Sequence, residues 1–226
     1  MKYIVLFISL LFFSTSFSQK NTFEKPNYKK IKRNINKKRS NFNYTTLYNK
    51  YYTLKSKMSL EEKRHLYFGY IFQKEYNPFG ISKYKDNLNK LARQKITKSN
   101  IYTLLKLTEQ ILRKNPFDLE VLKYRSYLHK KDNNQLGLAQ TKKQIKIIKD
   151  AILSTGNGLS RKTAYHVIFR EHKTEMLKFK KLKFSGVKNT VEKFKIEYLS
   201  VAKNPQNING LFFNVSAFKM DLKNRR

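Results

Sequence analysis

Apolar side chains recur at every third or fourth position through the first two thirds of the chain, a spacing that indicates amphipathic helices. The clearest stripe begins at Ile101 and ends at Leu112. A second helix signal is the capping box at Ser59–Glu62, in which the serine and the second glutamate each accept a hydrogen bond from the other residue's backbone N–H. The pattern predicts helices over residues 44–54, 60–72, 83–92, 101–112, 119–128 and 136–153.

The periodicity changes after the turn-forming segment Ser154–Gly158. Residues 163–169 are rich in β-branched and aromatic side chains, and residues 193–198 and 211–216 carry apolar side chains at alternate positions. Both features are typical of strands. A short helix is predicted at 174–182. The predicted fold class is therefore α+β, with an N-terminal helical part followed by a small C-terminal antiparallel β-sheet.

The predicted helices at 101–112 and 119–128 are joined by Asn115-Pro116 and followed by a third helix. Two antiparallel helices connected in this way resemble one tetratricopeptide-type unit. The chain shows no second copy at the 34-residue period, so we do not expect a repeat array.

The first 18 residues have the order of a secretory signal peptide. Lys2 precedes an apolar run from Ile4 to Phe13, and small polar residues follow as far as Ser18. We expect cleavage after Ser18. An uncleaved membrane anchor is the alternative, but the run is only about half of the ~20 residues that a spanning helix needs. No later segment approaches that length.

A basic leader follows the predicted cleavage site, and in it Ile31 and Ile35 stand alone among polar residues. Such a segment buries too little apolar surface to offset its ordering entropy, so we predict disorder or a frayed helix, with a basic docking arm as the alternative. The predicted segments are a signal peptide at 1–18, the leader at 19–41, a single α+β domain at 42–218 (helical over 42–155 and mainly β over 160–218) and a basic tail at 219–226.

The chain has 49 basic and 15 acidic residues, a formal net charge of +34, and no cysteine. The lack of cysteine excludes disulfides, cysteine nucleophiles and thiolate metal sites. The lysine excess has two interpretations, a codon bias from an AT-rich genome or a functional preference for anionic surfaces. For an exported protein such surfaces are lipid headgroups, acidic glycans or extracellular nucleic acid. DNA binding as a regulator is a further alternative, and the export signal makes it the poorest one, so we do not expect nucleic acid as the partner.

Histidines are the remaining candidates for metal or catalytic chemistry. A metal-assisted hydrolase that uses His166, Glu171 and His172 is the enzyme alternative. However, the two histidines are six residues apart, which fits neither the four-residue spacing of one helix face nor a known metal signature. The Gly156–Gly158 loop lacks the spacing of a phosphate-binding loop, and no G-x-S-x-G motif is present. We assign no catalytic residue, no metal ligand and no cofactor.

Polar side chains crowd the otherwise apolar helix predicted at 60–72, which gives a candidate binding site. Packing in the core is the commoner role for such aromatic residues. We nevertheless predict a polar pocket beside the sheet, because polar groups on an apolar helix need partners. The candidate residues are Arg64, His65, Tyr67 and Tyr70 from the helix, and Tyr165, His166, Glu171 and His172 from the predicted strand-to-helix turn.

Several segments together resemble a known family. They are Arg64–Gln73 with Tyr76–Phe79, Asn115–Leu119, Ala151–Gly158 with Thr163–Ile168, and Gly210–Ser216. As a set they resemble domain-of-unknown-function family 4919, whose members are small exported bacterial proteins. The resemblance spans about residues 42–218. It implies one coherent exported domain and supplies no activity.

We therefore expect a non-catalytic interaction or binding protein of the cell envelope or extracellular space. Binding of an envelope protein through the tetratricopeptide-like helix pair is the first form of this prediction. Electrostatic binding to anionic glycan or lipid headgroups is the second form. The periplasm, the outer-membrane surface and the medium remain equal candidates for the final location.

Overall fold

The computed structural model describes residues 23–79, 83–191 and 195–224, so the predicted signal peptide lies outside the described residues. The helices fill most of the first two thirds of the chain, as the sequence pattern predicts. They are α1 (Tyr28–Asn36), α2 (Tyr44–Thr53), α3 (Leu60–Gly69), a 3-10 helix (Tyr70–Phe72), α4 (Lys83–Ala92), α5 (Lys98–Lys114), α6 (Leu119–Lys131), α7 (Gln135–Leu153), α8 (His172–Phe179) and α9 (Ala217–Asn224).

The sheet has four strands in the order β1-β4-β3-β2. These are β1 (Tyr165–His166), β2 (Phe184–Val191), β3 (Ile196–Val201) and β4 (Gly210–Asn214). Strands β2, β3 and β4 pair antiparallel, and β3 and β4 lie in segments where strands were predicted. The two-residue strand β1 pairs parallel with β4, so the sheet is mixed. The α+β fold class is confirmed, and the parallel edge is a difference that alternation along single strands does not reveal.

Helices α3 and α6 begin with side-chain caps, and the first of these caps is the predicted capping box. Ser59 accepts from the backbone N–H of Glu62, and the Glu62 carboxylate accepts from the backbone N–H of Ser59, which completes the capping box at the start of α3. Asp118 accepts from the backbone N–H of Val121 at 3.0 Å and caps α6. These bonds satisfy backbone N–H groups that have no partner within the first turn of a helix.

Disorder and a frayed helix were the two predicted states of the leader, and the structure differs from the first, because the described part of the leader forms helix α1. The Asn27 side chain caps this helix at the backbone N–H of Lys30. Ile31 and Ile35 are four residues apart, lie on one face and are only 3% and 1% exposed. The side chain of Ile35 packs over Gly69 of α3, where an added Cβ would lie 3.1 Å from its Cγ2. Burial against α3 therefore offsets the ordering entropy of α1.

The C-terminal end also differs from the division that the sequence suggests. The predicted basic tail begins at residue 219, but helix α9 runs from Ala217 to Asn224. Strand β2, at 184–191, lies in a segment for which no strand was predicted. Its sequence contains Gly186, Lys188 and Asn189, which are residue types that strands disfavour.

The main hydrophobic core lies between helices α1, α2, α3 and α7 and the inner face of the sheet. Its largest fully buried side chains include Tyr51, Tyr67, Tyr76, Phe117 and Phe213. A second, smaller cluster joins α4, α5 and α6, and consists of Leu88, Ile101, Leu104, Ile111, Val121 and Leu128. Helix α6 packs on both α5 and α7. The comparison of this arrangement with a tetratricopeptide unit stays a prediction.

Within the described part of the chain, none of the helices combines the length and the apolar character needed to cross a membrane.

Candidate functional site

The eight residues of the predicted pocket lie in different parts of the fold. Helix α3 and the 3-10 helix supply four of them, strand β1 supplies two, and the turn into α8 supplies the last two. The structure joins Tyr67 to His172 and brings Arg64 close to His166, whereas His65, Tyr70, Tyr165 and Glu171 have separate surroundings. Of the eight, Glu171 borders a described cavity, and a pocket shared by all of them stays a prediction.

Tyr67 and His172 form a closed hydrogen-bond network in the core. The Tyr67 hydroxyl lies 2.6 Å from Nδ1 of His172 and accepts from the backbone N–H of Ile168 at 3.2 Å. The other ring nitrogen, Nε2, lies 2.8 Å from the carbonyl oxygen of Phe117. Because a carbonyl only accepts, Nε2 carries the proton and Nδ1 accepts from Tyr67. Burial lowers the pKa of His172 to about 4, which keeps the ring neutral.

This network removes a ligand from the metal-assisted hydrolase alternative. Both ring nitrogens of His172 are engaged, and the side chain is fully buried. A metal ion could bind His172 only by displacing the Tyr67 hydroxyl from Nδ1 or by removing the proton that Nε2 donates to the carbonyl of Phe117. Across residues 23–79, 83–191 and 195–224, no three histidine or carboxylate side chains lie close enough to hold a metal ion.

Arg64 contacts the segment that leads into α1, and its positive charge acts on His166. The Arg64 guanidinium is buried, donates to Ser154 Oγ at 2.6 Å and to the carbonyl of Lys25 at 3.3 Å, and lies 3.6 Å from a carboxylate oxygen of Glu24. Burial lowers the pKa of His166 to about 4, and the positive charges of Lys25 and Arg64 act in the same direction. Arg64 thus holds the leader segment against the end of α7.

Two buried polar atoms at β1 have no hydrogen-bond partner among the described residues. They are Nδ1 of His166 and the hydroxyl of Tyr165. The ring of Tyr165 lies close to Gly158, where a Cβ would come within 2.6 Å of the ring atom Cε2. The described part of the chain thus surrounds Tyr165 with backbone and apolar groups, and it does not connect this residue to Arg64 or Glu171 by a hydrogen bond.

His65 faces the leader and ties α3 to α1. Its Nδ1 donates to the carbonyl of Glu61 at 2.9 Å, so Nε2 is the acceptor and receives the side-chain N–H of Asn34 at 3.0 Å. The ring stacks on Phe42 with a centroid separation of 4.3 Å. Burial lowers the pKa of His65. This histidine acts in the structure as a neutral connector between two helices.

Tyr70 is a core residue. Its ring packs edge-on against Phe117 at 5.2 Å and Tyr76 at 5.9 Å, and its hydroxyl donates to the carbonyl of Lys114 at 3.0 Å. The hydroxyl therefore holds the end of α5 against the 3-10 helix. Burial raises the pKa of Tyr70 well above its usual range.

Glu171 is the predicted residue that lines a cavity. It borders a groove of about 470 Å³ between Phe79, the start of α6, α8 and strand β2. Burial raises the pKa of the Glu171 carboxyl. Of the neighbouring charges, Lys85 lies 3.2 Å from Asp118 and Lys173 forms an ion pair with Glu197, whereas Arg170 forms no ion pair among the described residues. The groove therefore presents charges of both signs.

A second cavity lies between the helices. It has a volume of about 470 Å³ and is bordered by α2, α5, α6 and α7. Tyr48 and Tyr52 stack along one wall with ring centroids 6.5 Å apart and planes within 20°. Arg125 borders the cavity and donates to the carbonyl of Leu105 and the hydroxyl of Thr108, both at 2.9 Å. The hydrogen bonds of this guanidinium therefore hold α6 against α5.

The third cavity is an open cleft of about 600 Å³ on the outer face of the sheet, which we call the sheet cleft. Tyr198 of β3 and Phe212 of β4 are register partners, so their side chains share this face, and their ring centroids lie 4.8 Å apart. The residues that line the cleft are Leu159, Arg161, Asn189, Tyr198, Gln206, Asn207, Ile208, Asn209, Gly210 and Phe212. None of them is acidic.

The sheet cleft was missed by the sequence analysis, although the sequence contains a signal for it. Alternation along β4 places Leu211 and Phe213 in the core, which leaves Phe212 on the opposite face. A large aromatic side chain on the polar face of a strand calls for an explanation. The register that sets it beside Tyr198 comes only from the structure.

Comparisons with known proteins identify the family of this chain but no individual relative. Neither the curated proteins nor the solved structures include a match to this chain. The family described as a domain of unknown function (DUF4919) matches residues 29–224, which covers α1 through the end of α9. That match extends the resemblance seen at 42–218 toward both termini, and it includes the leader helix. The chain belongs to the DUF4919 family.

Proposed function

We propose that this chain is an exported, non-catalytic binding protein of the cell envelope or extracellular space, and that it binds anionic surfaces. The observation that supports the proposal best is that the acidic side chains are few and mostly engaged in ion pairs. Ten acidic side chains in the described part of the chain form ion pairs, and these pairs use twelve of its bases. With 49 bases and 15 acids in the chain, most positive charges have no carboxylate to neutralise them.

Several acidic side chains are buried inside the fold, so basic groups make up a larger share of the exposed surface than the composition suggests. Glu175 and Asp118 are 3% and 4% exposed, and each is paired with a lysine. Glu62 is held by Lys50 and by the capping box. A surface with this excess of lysine attracts anionic polymers and membranes over several ångströms, and the attraction is screened by salt.

The positions of His65, His166 and His172, three of the four histidines, support a non-catalytic role. His65 and His172 use both ring nitrogens in hydrogen bonds that join distant segments. His166 is buried, and burial lowers its pKa to about 4. A general acid or base needs access to substrate and a pKa near the working pH. All three side chains are buried, and burial lowers the pKa of each.

Export is supported by the order of charge, apolar run and small residues in Met1–Ser18. Anionic partners are abundant outside the inner membrane, as lipid headgroups and as acidic glycans. The strong positive charge and the export signal therefore favour the same class of partner.

The test begins with expression of the full chain in a bacterium and purification from the envelope or the medium. We expect a product that begins at Gln19, is retained on anionic phospholipid vesicles or dextran sulfate at low salt, and elutes at a few hundred millimolar salt. Phosphatidylcholine vesicles and neutral dextran are the controls. A full-length cytosolic product, or equal retention on the neutral and anionic supports, would refute the proposal.

Binding of an envelope protein is a second candidate function, and the stacked tyrosines of the helical cavity favour it. Tyr52 is 58% exposed at the rim of that cavity, and exposed tyrosine is a frequent anchor at protein interfaces. A photo-crosslinking residue in place of Tyr52 should give one discrete product in cells. The same residue in place of Tyr102, which is 75% exposed, should not. The same products from both positions would count against this candidate.

A further inference from the structure

We propose that the sheet cleft is a specific binding site for an acidic oligosaccharide that carries carboxylate groups. The inference rests on the proposed function and deepens it, because it assigns one anionic partner to one place on the surface. Three features carry it, namely an aromatic platform, a set of polar side chains without internal partners, and walls that are rigid in the unbound chain.

The platform consists of the half-buried rings of Tyr198 and Phe212, with centroids 4.8 Å apart and planes inclined by 48°. Gly210 makes the position of Tyr198 possible, because a Cβ at that residue would lie 2.3 Å from the Tyr198 ring atom Cζ. The tyrosine ring therefore lies close over the backbone of β4. Aromatic faces that remain open to solvent offer apolar area to the C–H face of a sugar ring.

The polar groups around the platform are available to a ligand. The side-chain amides of Asn189, Asn207 and Asn209 form no hydrogen bond with any described residue, and each can both donate and accept. The exposed Arg161 guanidinium likewise has no carboxylate within ion-pair distance in the described part of the chain. Amides match sugar hydroxyls, and a guanidinium binds a carboxylate with two parallel hydrogen bonds.

The walls of the cleft are held in place without a ligand. In the 204–209 loop, Asn204 Oδ1 accepts from the backbone N–H groups of Gln206 and Ile208 at 3.1 and 3.2 Å, and its Nδ2 donates to the carbonyl of Ile208 at 2.7 Å. The facing loop is tied together by Asn157 Oδ1, which accepts from the hydroxyl of Thr163 at 2.7 Å. Preformed walls reduce the ordering entropy that binding would otherwise cost.

Charge and shape select the occupant. The lining residues include no carboxylate and one unpaired guanidinium, so the cleft favours an anion. A volume of about 600 Å³ accommodates two or three sugar rings. A sugar ring also presents a C–H face to the aromatic platform, which the phosphate of a lipid headgroup does not. We therefore commit to a carboxylated glycan.

The test measures binding of a galacturonic acid hexamer to the purified protein by calorimetry at constant ionic strength. R161Q should raise the Kd about tenfold, the effect of losing one charge-assisted pair. R93Q is the matched control, since Arg93 is exposed at the end of α4 and the change removes the same charge far from the cleft. We expect R93Q to change the Kd less than twofold.

A second pair of variants tests the platform without changing charge. Y198A should raise the Kd about tenfold, whereas Y102A should leave it unchanged, because Tyr198 lines the cleft and Tyr102 does not. Both variants must keep the circular dichroism spectrum of the parent, and Y198F supplies the ring without the hydroxyl if Y198A does not fold. Y198F should retain at least half of the affinity.

Three results would overturn the inference. Equal losses in R161Q and R93Q would reduce the binding to overall charge. Equal affinity for maltohexaose, a neutral hexamer, would remove the requirement for carboxylates. Tighter, Tyr198-dependent binding of oligodeoxythymidylate would make single-stranded nucleic acid the occupant. In each case retention on anionic vesicles can persist, which separates failure of this inference from failure of the proposed function.

Discussion

The substitution Tyr67→Phe tests whether the hydrogen-bond network around His172 stabilises the fold. It removes one oxygen atom and keeps the aromatic ring, whose contacts with Phe68 and Phe117 are unaffected. The hydroxyl serves two partners, Nδ1 of His172 at 2.6 Å and the backbone N–H of Ile168 at 3.2 Å. Both partners are buried, so neither can turn to water after the change.

The expected loss follows from these two partners. A buried donor or acceptor left without a hydrogen bond costs about 1–3 kcal/mol. With two such groups, and with partial relaxation of the His172 ring, we expect Y67F to lower the free energy of unfolding by about 2–4 kcal/mol. That is a large share of the 5–15 kcal/mol typical of a domain.

Urea unfolding at pH 7.5, followed by far-UV circular dichroism, measures this difference. Y102F is the matched control, because Tyr102 is 75% exposed and makes no hydrogen bond within the described residues, so we expect a change below about 0.5 kcal/mol. The two variants should share one m-value, which reports the surface exposed on unfolding. A Y67F protein as stable as Y102F would show that the Tyr67 hydroxyl does not hold β1 and α8 together.

Two further predictions concern the leader and the response to acid. Ile35→Ala should lower the free energy of unfolding by about 2–4 kcal/mol, because it removes a buried side chain. Leu136→Ala is the control, since Leu136 is 71% exposed, and it should change the free energy of unfolding by less than about 0.5 kcal/mol. Similar small losses in both variants would mean that α1 is not part of the core. In the folded chain His166 and His172 have pKa values of about 4, whereas a histidine in the unfolded chain has a pKa of ~6.5. Between these two values the unfolded state binds more protons than the folded state, so the stability falls as the pH drops below ~6.5. At pH 5 we expect the free energy of unfolding to be lower than at pH 7.5 by roughly 2 kcal/mol per histidine, and the decrease to be smaller in H166Q. A urea midpoint that does not change with pH would contradict this reasoning.

Local signals in the sequence were sufficient for most helices. The capping box at Ser59–Glu62 and the cap at Asp118 act within one turn, so neighbouring residues alone decide them. The aliphatic stripe from Ile101 to Leu112 likewise predicts α5 because one helix face repeats every 3.6 residues. The α+β class followed from the change of periodicity after Ser154–Gly158.

Local signals failed where stability comes from a distant partner. Two isoleucines in a lysine-rich leader give no reason to expect order until α3 supplies Gly69 as a surface for Ile35. Strand β2 has a weak intrinsic preference for its conformation, and pairing with β3 decides it. In both places tertiary contacts outweigh local propensity.

The candidate site divides in the same way. The sequence by itself determined which side chains were chemically notable, including Arg64, His166 and His172, together with the strong positive charge and the lack of cysteine. Only the tertiary structure decided that His172 is enclosed by Tyr67 and Phe117, residues 105 and 55 positions away, and that Tyr198 and Phe212 stand side by side on an open face. The physical reason is that burial and hydrogen-bond partners are properties of the packed chain, whereas charge and residue type are properties of the sequence.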